Sequence, residues 1–399
     1  MNIREKLYQP ESRKLEFKSR IPAKMNDLLK TITAFANGAG GEIIIGVSDR
    51  ERTIEGVSEP LQMEERIANA VHDGIMPMIS PYISILNFNG KQVLIVQVLP
   101  GSQKPYYIKS MGIEKGVYIR IGSTTRQAAP EMIKELNRQS LGIAFEVETD
   151  FTKTPEHIDK EAVNQFFHQM GHPEPAYEIL KKWSLLGKNN GDYYPTVAGL
   201  VLFGICDLPD YDFAGIRLTK FQGNTMTNIS ETREYSIPIL PKMETICRHT
   251  ADFLQKESYL EGIRRLERTI IPFYALREAI VNAVVHRDYS IRGSGIKINV
   301  FDNRMEVISP GILYGNMDIS DLGTGLSECR NRAMVRIFRR MGMMEELGTG
   351  IARIYELFLN RNLMTPLFFE QGQFFKAVLP QESQEKPGLI KEYLNSESR

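Results

Sequence analysis

Hydrophobic and polar positions follow three successive patterns along this chain. From residue 11 to about 140, short apolar runs alternate with turn residues, and LEFK, GGEIIIGVSD, TIEGV, KQVLIVQVLP and GVYIRIGSTT read as strands. Between the first two, Leu28, Leu29, Ile32, Phe35 and Ala36 follow the 3.6-residue period of a helix that Asn26 or Asp27 can cap and that Gly38, Gly40 and Gly41 end. Residues 131–139, EMIKELNRQ, predict a closing helix, and 141–155 a connector. The middle opens with the amphipathic pattern HIDKEAVNQFFHQMG, continues through YEILKKWSLL and reaches YYPTVAGLVLFG, a compact apolar hairpin or helix. From Pro272 the pattern changes again, to a long apolar helix, FYALREAIVNAVVHRDY, two strands, IKINVFD and RMEVISPG, and glycine-rich turns separated by an arginine-rich helix. The fold class expected is α+β: a mixed α/β segment over 1–140, a mainly helical one over 141–268, an α/β layer over 269–380 and a polar tail over 381–399.

A length of 399 residues exceeds what one core usually organises, which agrees with several domains. Forty-nine basic residues balance forty-nine acidic ones, so attraction to nucleic acid or membrane has to come from local segregation of charge. Cys206, Cys247 and Cys329 are odd in number and far apart, giving neither a disulfide framework nor a zinc spacing; a reducing, cytoplasmic setting is expected. The charged N-terminus is not a signal peptide, and no apolar run approaches the length of a membrane span. His157, His168 and His172 lack the carboxylate or Cys spacing of a metal site and read as solvated.

Two sets of residues carry candidate chemistry. In a strand, residues two apart share a face, so Glu16 and Lys18 stand side by side while Leu15 and Phe17 turn to the core. A metal nuclease needs hard oxygen ligands for Mg2+ or Mn2+ and a cation beside the attacked phosphate; Glu11 and Asp49 are candidates to complete that set. The alternatives are an ion pair between Glu16 and Lys18 and a turn role for Asp49. Arg13, Lys14, Lys18, Arg20 and Lys24 surround the acids with positive charge, as a polyanion approaching carboxylates requires. ESRKLEFKS followed by TITAFANGAGGEIIIGVSDRERTIEGV resembles the AlbA-type domain of Schlafen proteins and many bacterial regulators, over roughly residues 8–135. That resemblance implies an acidic centre of Glu11, Glu16 and Asp49 with Lys18 beside it, as in members that cut RNA, or a DNA-binding role, as in members described as regulators.

The second set lies on the long apolar helix after Pro272: Glu278, Asn282 and His286 are one turn apart and share a face. An asparagine oxygen can hold Mg2+ bridging phosphates while a glutamate one turn earlier accepts a proton from water. Gly311 ends the second strand, and Gly348-Thr349-Gly350 opens a helix whose free amides suit phosphate. This order of parts resembles the GHKL ATPase fold, over about residues 270–378, and most closely its divergent form joined to AlbA-type domains in bacterial RecG-like proteins and transcriptional regulators. The resemblance implies a GHKL-like α/β sandwich in which Asn282 ligates a metal, Glu278 is the base, and Gly311, Gly348, Thr349 and Gly350 cradle ATP. Val307-Ile308-Ser309-Pro310-Gly311 departs from the GHKL pattern in lacking the aspartate that contacts adenine, and no P-loop occurs, so a P-loop helicase is not expected.

Arg332, Arg336 and Arg339, with Arg340, form one stripe at helical spacing opposite Val335 and Phe338, suited to phosphate contact or to a solvated face answering Glu345 and Glu346. Three readings remain at this point. They are a metal-dependent nuclease coupled to an ATP-binding domain, a DNA-binding transcriptional regulator with a degenerate ATPase domain, and an ATP-responsive assembly protein; a homo-oligomer, at least a dimer, is expected.

Overall fold

A computed structural model describes residues 6–48, 51–206, 208–261, 264–315, 317–345 and 348–383, with the backbone alone described at 259–261 and 264–266. The chain forms two compact units, one of residues 1–143 with 315–318 and the other of 144–314 with 319–399. The fold is α+β, and among the described residues no helix is long and apolar enough to cross a membrane.

In the first unit β1 (Leu15–Lys18), α1 (Met25–Asn37) and β2 (Gly41–Ile45) make a parallel crossover with Glu16 level with Ile43 and Lys18 with Ile45. After α2 (Pro60–Gly74) and the short β3 (Ile75–Met76), the hairpin of β4 (Tyr82–Phe88) and β5 (Lys91–Val98) completes a sheet ordered β1-β2-β5-β4. β6 (Tyr107–Ile108), which pairs with β3, the short α3 (Gly112–Gly116), the hairpin β7 (Tyr118–Ile121)–β8 (Thr124–Gln127) and α4 (Pro130–Leu141) follow. The expected helix α1 is present, with Leu28, Leu29, Ile32, Phe35 and Ala36 buried. Its start differs: Lys24 is the extended residue before it, and Asp27 sits in the first turn, where its carboxylate accepts from Lys30 Nζ at 2.9 Å instead of capping. Its end is as expected, since Gly38 N–H closes onto the carbonyls of Ala34 and Phe35 and Gly40 takes φ +75°, a conformation open to glycine. Asn37, fully packed, donates its amide to the carbonyls of Tyr106 and Tyr118 and accepts from Tyr106 N–H, which ties α1 to the strands beyond it. Both faces of β1 are covered. Leu15 and Phe17 join Ile44, Val47 and Val93 on one side, while Glu16 shares the side of Ile43 and Ile45, which belong to the core with α1 and α2.

The second unit begins with α5 (Lys160–His168), whose N-terminus is capped by Asp159 through the N–H groups of Glu161 and Ala162. α6 (Tyr177–Lys182), the hairpin β9 (Leu186–Asn189)–β10 (Asp192–Pro195) and α7 (Val197–Phe203) come next. Then follow β11 (Ile216–Phe221), β12 (Ile229–Tyr235), α8 (Met243–Phe253), the hairpin β13 (Lys256–Glu261)–β14 (Arg264–Thr269) and α9 (Phe273–Val285). β15 (Ile296–Val300), β16 (Arg304–Pro310), α10 (Arg332–Arg340), α11 (Gly350–Asn360), β17 (Leu367–Gln371) and β18 (Phe374–Pro380) complete it. Six strands form one sheet in the order β12-β11-β15-β16-β18-β17, in which only β11 and β15 run parallel. The middle of the chain is therefore not mainly helical: β11 and β12 extend the C-terminal sheet, and α8 and α9 both lie in the connection between β11 and β15. The reason is tertiary. Ile216 and Leu218 bury one edge of the same core as Ile296 and Ile298, a pairing across about 80 residues that no local period announces.

Candidate functional site

In the first unit the acids are held individually. Glu16, 8% exposed on the helix-covered side of β1, has a cation on each oxygen: Lys18 Nζ lies 2.6 Å from Oε1, and Arg120 Nη1 bonds Oε2. Arg120, itself buried on β7, also donates to Thr125 Oγ1 (3.1 Å) and to the Ser12 carbonyl (2.8 Å), and its guanidinium lies 5.2 Å from the Phe35 ring centroid. Glu11 is half-buried; its Oε1 accepts from Phe17 N–H at 3.0 Å and lies 3.9 Å from Arg52, whose guanidinium stacks on Phe17. Glu11 thus bonds the backbone of the strand that carries Glu16. Asp49 lies outside the described residues, and among the described residues no three of His, Cys, Asp and Glu stand close enough to share an ion. Of the surrounding cations, Arg20 and Lys24 are exposed and Lys14 is half-buried. Arg13 is not at the surface: it is 7% exposed and donates to the Met317 carbonyl at 3.3 Å. As a member of the basic surround it is expected to meet a polyanion, but the chain packs over it.

In the second unit α9 and α11 pack together and bring Glu278, Asn282 and the turn Gly348-Thr349-Gly350 to one place. Asn282 Nδ2 donates to Glu278 Oε1 at 3.1 Å, which leaves the amide oxygen for another partner. Glu278 is 5% exposed, and its Oε2 has no hydrogen-bond partner among the described residues. Burial raises its carboxyl above the usual range, offset in part by the Asn282 amide and Arg277 and assisted by the charge of Glu345. Gly350 approaches the carboxylate closely: a Cβ on it would sit 1.9 Å from Glu278 Oε1, so Glu278 would have to shift. Thr349 turns its hydroxyl to Glu345 (2.8 Å), which also accepts from Arg353 (2.7 Å), so the first amides of α11 receive no side-chain cap. A buried carboxylate oxygen without a partner, an asparagine oxygen left over and an uncapped helix start form a donor set that fits a magnesium-bound triphosphate.

Gly311 does not join this group. Its φ of +110° lets the backbone of Asp288 approach, and a Cβ would meet Asp288 Cβ at 2.8 Å. Asp288 accepts from Ser290 N–H and Oγ and from Arg330 Nη1 (2.8 Å), while Arg330 Nη2 bonds the Ile312 carbonyl. The glycine turn after β16 is thus closed by the ion pair of Asp288 with Arg330. His286, on the Glu278 face in a helical projection, follows the last turn of α9, and the loss of water around its ring together with Arg330 and Arg339 holds its pKa down to about 4.

The stripe itself is formed: Arg332, Arg336, Arg339 and Arg340 are exposed on α10, and Ala333, Met334, Val335, Ile337 and Phe338 are buried. Its N-terminus is capped from a distance by Glu146, whose oxygens accept from Ala333 N–H (2.7 Å) and Met334 N–H (2.9 Å) and whose pKa burial pushes up to about 7. Sequence reasoning missed Arg120, Asp288, Glu146 and Arg287. Arg287 is fully buried and donates to the carbonyls of Phe213, Asp288, Ile291 and Ser294. Only Arg120 carried a signal, as a charge inside the alternating run Tyr118-Ile119-Arg120-Ile121.

Comparisons with known proteins follow this division. Residues 11–129 match the family described as "Schlafen, AlbA_2", and residues 293–379 match the one described as "Putative ATP-dependent DNA helicase recG C-terminal". Among solved structures, the DIP2311 protein of Corynebacterium diphtheriae is 19% identical over 93% of this chain and 76% of that one, with a TM-score of 0.49. The N-terminal domain of a RecG-related protein of Nitrosomonas europaea is 25% identical over 32% of this chain and 90% of that one, with a TM-score of 0.26. No curated protein matches the chain. Glu278 and Asn282 precede the second matched segment, whereas Gly311 and Gly348-Thr349-Gly350 lie inside it. Residues 11–129 are thus similar to the Schlafen AlbA_2 family, and residues 293–379 to the recG C-terminal family.

Proposed function

We propose that this chain is a nucleic-acid-acting protein of a cytoplasmic setting in which a Schlafen-like unit engages RNA or DNA and a GHKL-like unit binds ATP with Mg2+. The observation that carries the reading is the pairing of Glu278 with Asn282 beneath Gly350. A buried carboxylate with one unpartnered oxygen costs the fold on the order of 1–3 kcal/mol, and such a group is retained where a ligand or a reacting water completes it. Bound magnesium would neutralise phosphate charge and order the triphosphate. Asn282 would hold it through the amide oxygen, its NH2 being fixed on Glu278. Glu278, with its raised carboxyl affinity for protons, would accept the proton of a water near its free oxygen. In the first unit Glu11 and Glu16, with Asp49, would hold Mg2+ or Mn2+ for phosphodiester cleavage, and Lys18 would face the phosphate.

A titration of MgATP into wild type and Asn282→Ala followed by calorimetry tests the second unit: wild type should bind and Asn282→Ala should lose at least tenfold in affinity. Absence of binding to wild type removes ATP from the account. A second reading, a regulator that binds DNA without cutting it, is favoured by one observation: Glu16 has both oxygens neutralised by Lys18 and Arg120, so its charge is already compensated without a metal.

A further inference from the structure

We propose that the second unit carries its own binding surface for a nucleic-acid backbone, made by the arginine face of α10 and the lysines that end α6; the proposal rests on the nucleic-acid reading above and adds a site to it. Arg336 joins the two elements. Its guanidinium lies 4.9 Å from the Trp183 ring centroid and donates to the Lys182 carbonyl at 3.2 Å, which sets α10 alongside exposed Lys181 and Lys182. Trp183 is in turn fixed by edge contacts with Phe166 and Phe167, so this cation is positioned from below before any ligand arrives. Arg332, Arg336, Arg339 and Arg340 span the nine residues of the helix, a rise of about 12 Å, enough for three to four phosphates of one strand at about 3.4 Å each.

The hydrogen bonds of the flanking acids go elsewhere. Glu146, under the start of α10, is fully buried and its oxygens are occupied by Ala333 and Met334 N–H. Glu178 on α6 is bonded to Lys188 and Tyr193, and Glu345 beyond α10 to Thr349 and Arg353. Among the described residues no carboxylate pairs with Arg332, Arg336, Arg340, Lys181 or Lys182. Glu345 pairs with none of these five, while Glu346 lies outside the described residues. The ligand is a phosphodiester chain and not a lipid surface, because every apolar residue of α10 except those at its buried face is absent: Ala333, Met334, Val335, Ile337 and Phe338 all point inward and leave nothing to insert into a bilayer. Arginine forks suit phosphate oxygens through paired N–H donors.

The test uses the full chain and fluorescence anisotropy with a labelled 20-nucleotide single strand and its duplex over a range of KCl concentrations. Arg332→Gln/Arg339→Gln/Arg340→Gln should lower the log-log salt slope by about 2 to 3, and Lys181→Gln/Lys182→Gln by about 1.4 to 1.8, for one phosphate per residue. The corresponding triple Arg→Lys variant should keep most of the slope, which a folding defect would not allow. Should the triple glutamine variant fail to fold by circular dichroism, the lysine pair on a different helix decides the matter. Unchanged affinity and slope in the glutamine variants, with a loss in Lys14→Gln/Arg20→Gln/Lys24→Gln, overturns this surface and leaves the nucleic-acid reading standing. Absence of binding by wild type at any salt overturns both, and binding to phosphatidylserine vesicles without binding to nucleic acid overturns the choice of ligand.

Discussion

Arg120→Met probes how the acidic centre is held. The wild-type guanidinium, 3% exposed, bonds Glu16 Oε2, Thr125 Oγ1 and the Ser12 carbonyl. Removing it leaves Glu16, itself buried, with Lys18 alone and strands the Ser12 carbonyl. Breaking a buried pair by deleting one partner costs about 3–5 kcal/mol, because the remaining charge stays out of water. At roughly 2–4 °C per kcal/mol for a unit of this size, the first unit's melting temperature should fall by roughly 6–20 °C. Glu16→Leu/Arg120→Met should recover most of that, since replacing both charges with apolar groups removes the desolvation cost along with the attraction. Urea and thermal unfolding of the full chain by far-UV circular dichroism measure the cycle, and fluorescence of Trp183, the single tryptophan, reports the second unit. A loss below about 1 kcal/mol in the single variant, or a double variant as weak as the single, refutes the argument that Glu16 is a desolvated, doubly paired carboxylate.

The second unit carries two titrations of opposite sign. The folded pKa of Glu146, about 7, lies above its ordinary 4.5, so its contribution is fully present below 4.5 and is lost as pH rises through 7, by about 3 kcal/mol at most. The folded pKa of His286, about 4, lies below its ordinary 6.5, so its contribution is present above 6.5 and is lost as pH falls towards 4. Between pH 4.5 and 6.5 the two oppose each other; urea midpoints should therefore rise with pH in Glu146→Gln and fall with pH in His286→Gln, and parallel profiles for both variants would contradict this. Gly350→Ala places a Cβ where Glu278 Oε1 stands, should cost about 1–3 kcal/mol and should weaken MgATP binding at least tenfold by calorimetry, whereas wild-type affinity would show that Glu278 and the turn are not one site.

Local pattern made the elements legible, and distance in sequence hid what surrounds the sites. The period of Leu28 to Ala36 specifies α1, and the alternation of Leu15 to Lys18 correctly places Glu16 and Lys18 together on one face of β1. What the alternation could not convey is that a parallel crossover covers that face as well, which turns an apparent surface pair into a buried one that needs Arg120 from 104 residues away. In the same way E-x-x-x-N spacing predicts the Glu278–Asn282 contact, a turn of helix apart, and the approach of Gly350 depends on the packing of α11. Gly311 reads as a phosphate turn because glycine after a strand is common to both uses; only the Asp288–Arg330 pair reveals that here it admits protein backbone. β11 was hidden for a related reason, since a six-residue strand is recognised by its partner β15 more than by its own composition.

Product analysis of end-labelled RNA and DNA tests the central claim most directly. The full chain should bind both kinds of substrate or one of them in the presence of EDTA, and should cut at least one when Mn2+ or Mg2+ is added, with cleavage abolished and binding kept in Glu16→Gln. Binding with no cleavage under either metal would leave the non-catalytic regulator as the account of the first unit, and failure to bind or cut any RNA or DNA would contradict a nucleic-acid-acting protein altogether.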